Sequence, residues 1–178
     1  MKLELTRNEM LALWKRRHFL EPLRTDCSVT RTDSIDLDAL CAENMRQWYL
    51  QLLAEGDPAL LAPADISSAA TLRRTDHGTV ALTLPDNAVR VLAVRLEGWE
   101  REAVPVAHDS PDALRMANSF ACGGVACPVA VVHPDRTLEL YSPPNTATIP
   151  KVDMLLAAAD TGPETYAFDE RALALIGH

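Results

Sequence analysis

The chain has 178 residues, of which 48% are apolar and 24% are charged, a balance that predicts one globular domain and excludes an intrinsically disordered chain. Its formal charge of −8 at pH 7 argues against nucleic acid as a main partner, because phosphate binding requires a basic surface. Aromatic residues make up only 5% and there are only 7 glycines, so we expect an aliphatic core and no glycine-rich nucleotide site.

The four cysteines are expected to be free thiols. No apolar signal stretch follows the first charged residues, and no window approaches the roughly 18 consecutive apolar residues that span a bilayer. We therefore expect a reducing cytoplasm and no membrane contact. Free cysteines pack as small apolar groups, so most of them should be buried. They are Cys27, Cys41, Cys122 and Cys127.

The first predicted helix covers about residues 6–21. Thr6 and Glu9 have the spacing of a capping box, and Pro22 ends the run. The helix carries a basic cluster, Lys-Arg-Arg-His, at 15–18. We interpret this cluster as the solvated face of an amphipathic helix; the alternative is a contact with an acidic partner surface or a phosphate backbone.

The second predicted helix covers about residues 34–55. Asp33 or Ser34 can cap its start, and Gly56 followed by proline ends it. Apolar residues recur along it at spacings of three and four, which predicts one buried stripe that must pack on another element or another subunit. The stripe consists of Leu37, Leu40, Cys41, Met45, Trp48, Leu52 and Leu53.

The apolar period changes after residue 65 and predicts antiparallel hairpins. Residues 71–75 and 79–84 flank a short glycine-containing connection, and 127–133 and 137–141 flank Pro-Asp-Arg. Residues 89–96 form a valine-rich run that is typical of a strand buried on both faces.

Three further segments of this region have predicted roles. Residues 102–107 are expected to pair back onto the long strand, and a short helix is expected near 111–120, opened by Ser110 and Pro111. Residues 149–159 fit either a helix or a strand, and their hairpin context favours a strand.

These elements together predict an α+β fold in one domain, residues 1–178. We expect a helical part at 1–62, a β-rich part at 63–168 whose hairpins lie at about 66–160, and the start of a C-terminal helix at 169–178.

The cysteine pair Cys122-Gly-Gly-Val-Ala-Cys127 has the spacing of half a zinc site, but a second pair is needed to complete one. Cys27 and Cys41 are far apart in sequence, and the latter lies on the apolar stripe. A redox pair normally has the spacing Cys-x-x-Cys. We interpret the segment as a glycine-rich turn that enters a buried strand, and we predict no metal site.

The histidines show no helical pairing, and none is predicted to be catalytic. His77 and His133 fall in the predicted hairpin turns. His108-Asp109-Ser110 contains the residue types of a hydrolase triad, but adjacent residues cannot supply its geometry. The remaining histidines are His18 and His178. We predict no catalytic, cofactor-binding or metal-binding residues.

Trp99 and Arg101 follow the long predicted strand. We interpret Trp99 as a cap on the core. In the alternative, both side chains are exposed, and tryptophan and arginine are enriched at protein–protein hot spots.

Residues 84–101, LPDNAVRVLAVRLEGWER, resemble a pattern in the adaptor proteins of tailed phages, which are neck or head–tail connector proteins that include the tail tubular protein A type. The resemblance extends over about residues 34–142. It includes residues 48–53 (WYLQLL), Asn118, the glycine pair at 123–124, residues 128–132 (PVAVV) and residues 138–141 (LELY).

This resemblance implies a structural protein of a phage or prophage that has no catalytic residues. Adaptors of this kind pair a helical bundle with a β-rich domain and assemble as a ring beneath the portal. The expected partners are therefore portal and tail or neck proteins and further copies of the chain. The expected location is the virion, after assembly in the bacterial cytoplasm.

Two other functions remain open. One is a small cytosolic enzyme whose site is assembled from scattered Asp, Glu and His residues, which a pocket containing two or more of them would favour. The other is an acidic regulatory or immunity-type binding module, which one contiguous Asp/Glu patch would favour.

Overall fold

The computed structural model describes residues 1–18, 36–116, 118, 124–145 and 148–177. The fold is α+β, with N-terminal helices and antiparallel-rich sheets. Residue contacts divide the chain into two compact units. We call residues 1–62 with 160–178 the helical unit, and residues 63–159 the β unit.

The elements succeed one another in this order. The chain begins with β1 (Lys2–Thr6), α1 (Arg7–Arg17), α2 (Leu37–Glu55) and a 3₁₀ helix (Pro58–Leu60). The β unit contains β2 (Ala64–Asp65), a 3₁₀ helix (Ser67–Ala69), β3 (Thr71–Arg74), β4 (Val80–Thr83), β5 (Ala88–Leu96), β6 (Pro105–Ala107), α3 (Pro111–Met116), a 3₁₀ helix (Gly124–Ala126), β7 (Val129–Val132), β8 (Thr137–Tyr141) and β9 (Val152–Ala159). The chain then returns to the helical unit with β10 (Thr165–Asp169) and a 3₁₀ helix (Glu170–Leu175).

The capping box at the start of α1 is confirmed. The Thr6 backbone N–H donates to the Glu9 carboxylate at 2.9 Å, and the Glu9 N–H donates to Thr6 Oγ1 at 3.4 Å. The hydrogen bonds from Thr6 lower the pKa of Glu9. The helix ends at Arg17, and residues 19–21 of the predicted range lie outside the described residues.

Asp36 caps α2. Its Oδ1 accepts hydrogen bonds from the N–H groups of Asp38 and Ala39 at 3.0 and 3.1 Å. The predicted caps, Asp33 and Ser34, lie outside the described residues. Asp36 is the third polar residue in this stretch that can accept these bonds, so the sequence alone did not decide among them.

The buried face of α2 differs from the predicted stripe. Leu40 is 47% exposed and Trp48 is half-buried, whereas Tyr49 is fully buried. The hydroxyl of Tyr49 donates to the Ala167 carbonyl at 3.4 Å and accepts from the Ala167 N–H at 3.3 Å. These partners offset the cost of removing the hydroxyl group from water, so the ring can be buried. The buried residues of the helix are Cys41, Met45, Tyr49, Leu52 and Leu53.

Strand β1 pairs antiparallel with β10, a pairing that the sequence did not predict. Leu3 lies opposite Phe168 and Leu5 lies opposite Tyr166. The chain is thus still extended at Asp169, and its next residues form a 3₁₀ helix rather than the predicted start of a longer helix. This pairing places residues 160–178 in the helical unit, whereas the sequence predicts that those before 169 belong to the β-rich part.

The β unit contains two sheets, and both predicted hairpins are present. The five-stranded sheet has the order β3-β4-β8-β7-β6, and the three-stranded sheet has the order β2-β9-β5. The ambiguous segment 149–159 contains a strand, as its context favoured, because β9 pairs with β2 on one side and β5 on the other.

Side chains from both sheets form one core in the β unit. The inward residues of β4 and β8 alternate, as in Leu138 and Leu140, both 0% exposed. The inward residues of β5 do not alternate regularly, because the pairing of β5 with β9 contains register shifts. Such bulges insert an extra residue and change which side chains face inward. The core residues of β5 are Ala88, Val91, Val94 and Leu96.

The predicted return of 102–107 onto β5 is reduced to one bridge. Ala103 pairs with Val94, and the chain then leaves β5 so that β6 runs parallel to β7. Parallel neighbours need a long crossover. The segment that includes α3 provides this connection, and α3 (Pro111–Met116) lies in the predicted range of 111–120.

Candidate functional site

The polar cluster on the outer face of the five-stranded sheet is centred on Glu139. Side chains of a strand alternate between its two faces. Leu138 and Leu140 point into the core, so Glu139 and Tyr141 lie on the opposite face. In the register of the sheet, Glu139 stands between Ala81 of β4 and Val131 of β7.

Three side chains hydrogen-bond to the Glu139 carboxylate. Thr79 Oγ1 donates to Oε1 at 2.7 Å. His133 Nε2 lies 3.1 Å from Oε2, and the Tyr141 hydroxyl donates to the same oxygen at 3.0 Å. We call these four residues the Glu139 cluster. The Thr79 hydroxyl is itself 2.6 Å from that of Thr75.

The cluster keeps Glu139 ionised. Burial alone would raise the pKa of its carboxyl group, but the hydrogen bonds from Thr79, His133 and Tyr141 outweigh burial and lower the pKa below its ordinary value. Both carboxylate oxygens therefore carry charge and already have donors. The arrangement links the β3–β4 turn, which contains Thr79, to β8 and to the β7–β8 turn, which contains His133.

An open cleft of about 760 Å³ lies beside this cluster. Glu139 and Tyr141 line it on one side, and Arg74 and His77 line it from the β3–β4 hairpin. Its apolar lining comes from Met116 and the prolines at 143–144. The cleft thus combines cationic, carboxylate and phenol groups and is large enough for a small molecule.

The helical unit has a second polar arrangement, centred on Arg46 of α2. Its guanidinium forms an ion pair with Asp160 and donates to the Gly162 carbonyl at 3.0 Å. Burial raises the pKa of Asp160, but the hydrogen bonds from Arg46 and Gly162 outweigh it, so the pKa is lowered. The Tyr49 hydroxyl oxygen lies 3.3 Å from Thr161 Oγ1. These contacts fasten the returning chain to α2, which is a structural role.

The predicted cysteine motif is only partly described. Cys27 and Cys122 lie outside the described residues. Of the other two cysteines, Cys41 is buried, whereas Cys127 is exposed and lies 2.6 Å from an Arg101 guanidinium nitrogen. Within residues 1–18, 36–116, 118, 124–145 and 148–177, no three His, Cys, Asp or Glu side chains are arranged to hold a metal ion.

The histidines occupy different environments. His77 lies in the β3–β4 turn and reaches the cleft, and the His108 ring stacks on His133 with centroids 6.4 Å apart. Ser110 accepts a hydrogen bond from the Ala113 N–H at 3.2 Å and so caps α3. His178 lies outside the described residues.

Trp99 caps the core. It is 6% exposed, and its indole N–H donates to the Ser142 carbonyl at 2.9 Å. The alternative of an exposed tryptophan is therefore wrong. Arg101 is exposed, as that alternative required.

The basic cluster of α1 has a partner within the chain. Lys15 Nζ lies 2.6 Å from Asp38 Oδ1 of α2, and the His18 ring lies 4.6 Å from the Trp14 ring. Part of the cluster thus joins the two helices rather than only facing solvent. Among the described residues, no helix is long and apolar enough to cross a membrane.

The Glu139 cluster was not predicted, although its signals are present in the sequence. The alternation Leu-Glu-Leu-Tyr puts Glu139 and Tyr141 on one face, and the predicted hairpin brings His133 opposite. Polar residues on the outward face of a predicted strand are neighbours of one another, and this is the signal that could have found the cluster. No protein-family model matches the chain, and no curated protein matches it either.

Proposed function

We propose that this chain is a head–tail adaptor of a tailed phage or prophage, which works through protein–protein contacts in an oligomeric ring. Portal and tail or neck proteins are its partners, and the virion is its destination after assembly in the bacterial cytoplasm. The proposal rests on the resemblance of residues 84–101, on the two-part α+β architecture, and on exposed aliphatic side chains.

Much of the resembling segment lies in a turn or in the core of the β unit. It comprises the turn at 84–87, the whole of β5, and Trp99, whose ring anchors the core. Pro85 and Asp86 present their carbonyls to Arg136 at 3.2 and 3.1 Å. These turn and core positions support a role of the segment that depends on shape rather than on a reactive side chain.

The observation that carries the proposal is aliphatic exposure near β6 and α3. Val104 and Leu114 are each 68% exposed. Val104 also lines an open cleft of about 540 Å³ together with Val106 and Met116. Exposed apolar surface of this kind is a common feature of interaction sites. We call these four residues the α3 surface. The helical unit adds Leu40 and Leu175, 47% and 45% exposed.

The test is assembly on the portal protein encoded by the same phage or prophage. We expect the chain to co-purify with the portal and to form a ring that electron microscopy resolves. Val104→Asp and Leu114→Asp should weaken capture by roughly tenfold or more, because each places a charge in an apolar contact.

Thr71→Asp is the matched control, since Thr71 is an exposed residue of β3 at the opposite edge of the same sheet. Absence of any complex or ring at both low and moderate salt would refute the adaptor function. If Thr71→Asp weakened portal capture as much as the two α3-surface variants, the α3 surface would not be the portal contact.

The cleft beside the Glu139 cluster favours a second candidate, a small enzyme or ligand-binding protein. It brings His77, Glu139 and Tyr141 to one surface, which is the gathering of titratable groups expected of such a site. A small-molecule screen by thermal shift tests it. A ligand that stabilises the wild type but not His77→Ala would support this candidate, and a screen without such a ligand would favour the adaptor.

A further inference from the structure

We propose that the β unit binds an extended segment of a partner protein, one that carries aliphatic side chains and acidic residues, in a groove between β5 and β6. The β5–β6 groove is defined by Val89, Arg90, Val91, Val106, Val132 and Arg136. Binding there requires only these residues and their strands, so it does not depend on the adaptor function.

The groove arises because the two sheets are joined at one point and then separate. Val94 and Ala103 exchange two backbone hydrogen bonds, of 2.9 and 2.8 Å. Towards the start of β5, that strand pairs with β9 only, and β6 pairs with β7 only. Both are therefore edge strands among the described residues, and edge strands are templates for an additional extended segment.

The walls of the groove are aliphatic. Val89 is 39% exposed although it lies inside a strand, and Val91, Val106 and Val132 line the same space of about 300 Å³. The stretch of β5 that borders it, residues 88–91, is about 13 Å long at the usual rise per residue. That length matches about four residues of an extended segment, in which alternate side chains would face the valines.

The charged groups of the groove select an acidic occupant. Among the residues that the structure describes, its lining contains Arg90 and Arg136 and no Asp or Glu, although the chain has 25 acidic and 17 basic residues. His133 also borders it, but its ring already contacts Glu139. This local excess of positive charge is complementary to carboxylates on the entering segment.

Arg136 is held in place before any ligand arrives. One of its terminal nitrogens donates to the carbonyls of Pro85, Asp86 and Ala88 at 3.2, 3.1 and 2.8 Å. It therefore presents a fixed cation at one end of the groove, and a fixed group loses little conformational entropy on binding.

Fluorescence anisotropy with the full chain tests the proposal. The probe is a fluorescein-labelled eight-residue peptide in which valines alternate with glutamates, and its matched control has lysine at each glutamate. We expect saturable binding of the glutamate peptide, at least about tenfold tighter than the lysine peptide, and weaker binding at 0.5 M NaCl, roughly the salt that screens exposed charges.

Two variants locate the site. Arg90→Gln should weaken binding roughly three- to tenfold, because it removes one complementary charge. Arg95→Gln is the matched control, since Arg95 lies on the same strand but does not line the groove; the affinity of this variant should match that of the wild type. Val89→Asp should prevent saturable binding of the glutamate peptide. The far-ultraviolet circular dichroism spectrum of the amide backbone checks that each variant is folded.

Several outcomes would overturn the proposal. These are no binding of the glutamate peptide at millimolar concentration, equal binding of both peptides, or equal effects of Arg90→Gln and Arg95→Gln. Displacement by octanoate at concentrations where the peptide binds would assign the groove to small aliphatic carboxylates instead. Portal capture is a separate measurement, so failure here leaves the adaptor function to its own test.

Discussion

The core of the helical unit contains a cluster of aromatic rings beside its aliphatic side chains, whereas the core of the β unit is almost entirely aliphatic. Trp48 lies between Trp14 and Phe168, at centroid distances of 5.9 and 5.7 Å, and Tyr49 packs edge-on against Tyr166 at 5.0 Å. In the β unit, Trp99 is the aromatic member of a core otherwise made of Val, Leu, Ile and Ala.

The difference arises from the segments that each unit must connect. The helical unit joins segments from opposite ends of the chain through a two-stranded sheet and two helices. Aromatic side chains each bury a large area and so suit such a contact. The β unit has two sheets whose many small branched side chains interdigitate. The expectation of an aliphatic core is thus correct for the β unit, whereas the helical unit buries aromatic rings such as Tyr49 and Phe168 beside aliphatic side chains such as Leu53.

The largest expected effect is that of Phe168→Ala. Phe168 is fully buried and contacts the Trp48 ring edge-on, so its loss should lower the free energy of unfolding by about 3–5 kcal/mol. Leu140→Ala, at a fully buried position of the β unit, should cost about 2–5 kcal/mol. Urea denaturation followed by tryptophan fluorescence measures both.

Leu175→Ala is the control for Phe168→Ala, because both residues belong to the helical unit. Leu175 is 45% exposed, so its change should stay within about 0.5 kcal/mol. An effect of Phe168→Ala no larger than that of Leu175→Ala would show that the aromatic cluster does not stabilise the helical unit.

The next largest expected effect on the free energy of unfolding comes from protonation of two half-buried carboxylates at low pH. Asp160 in the helical unit and Glu139 in the β unit both have lowered pKa values. A group with a lowered folded pKa contributes stability above its unfolded pKa, and loses it as the pH falls through the folded value. Their ordinary values are 3.8 and 4.5. Stability should therefore fall on acidification below about pH 4.5 in the β unit and below about pH 4 in the helical unit.

Amide variants separate these two contributions. Asp160→Asn and Glu139→Gln should each lower stability by about 1–3 kcal/mol at pH 7, because the amide removes the negative charge and replaces one of the two acceptor oxygens by a donor. Each should also reduce the loss of stability between pH 5 and pH 3, values chosen to bracket roughly the ordinary carboxyl pKa range. Asp153→Asn, in the exposed pair with Arg95, should cost at most about 1 kcal/mol. Unchanged acid profiles in both variants would contradict the assignment.

The smallest expected effect is at the helix cap. Thr6→Ala removes the hydroxyl that caps α1 and should lower stability by about 0.5–2 kcal/mol, whereas Thr6→Ser keeps it and should have little effect. Hydrogen exchange of the amides in the first turn reports the change directly. Equal protection in Thr6→Ala and the wild type would show that the cap is not needed.

Short-range features of the fold were predictable. The capping box, the second helix, both hairpins and the strand at 89–96 all depend on residues within a few positions of one another. The buried face of α2 was predicted less well, because Tyr49 is buried only where the Ala167 backbone meets its hydroxyl. The bulges of β5 were not predictable, since they depend on its pairing with β9.

The candidate site was predictable only in its parts. The strand pattern placed Glu139 and Tyr141 on one face, but Thr79 comes from 60 positions earlier in the chain. The β5–β6 groove has no local signature at all, because it exists where two sheets separate beyond the Val94–Ala103 bridge. Its valines were assigned correctly to strands, yet nothing in the sequence showed that they line one space.

The sequence by itself determined the fold class, the local elements and the chain turns, because capping, alternation and turn chemistry act between near neighbours. Only the tertiary structure decided that Lys2 pairs with Asp169, and that the last residues join the helical unit. The physical reason is that a contact between distant segments depends on the shape and burial of both partners at once.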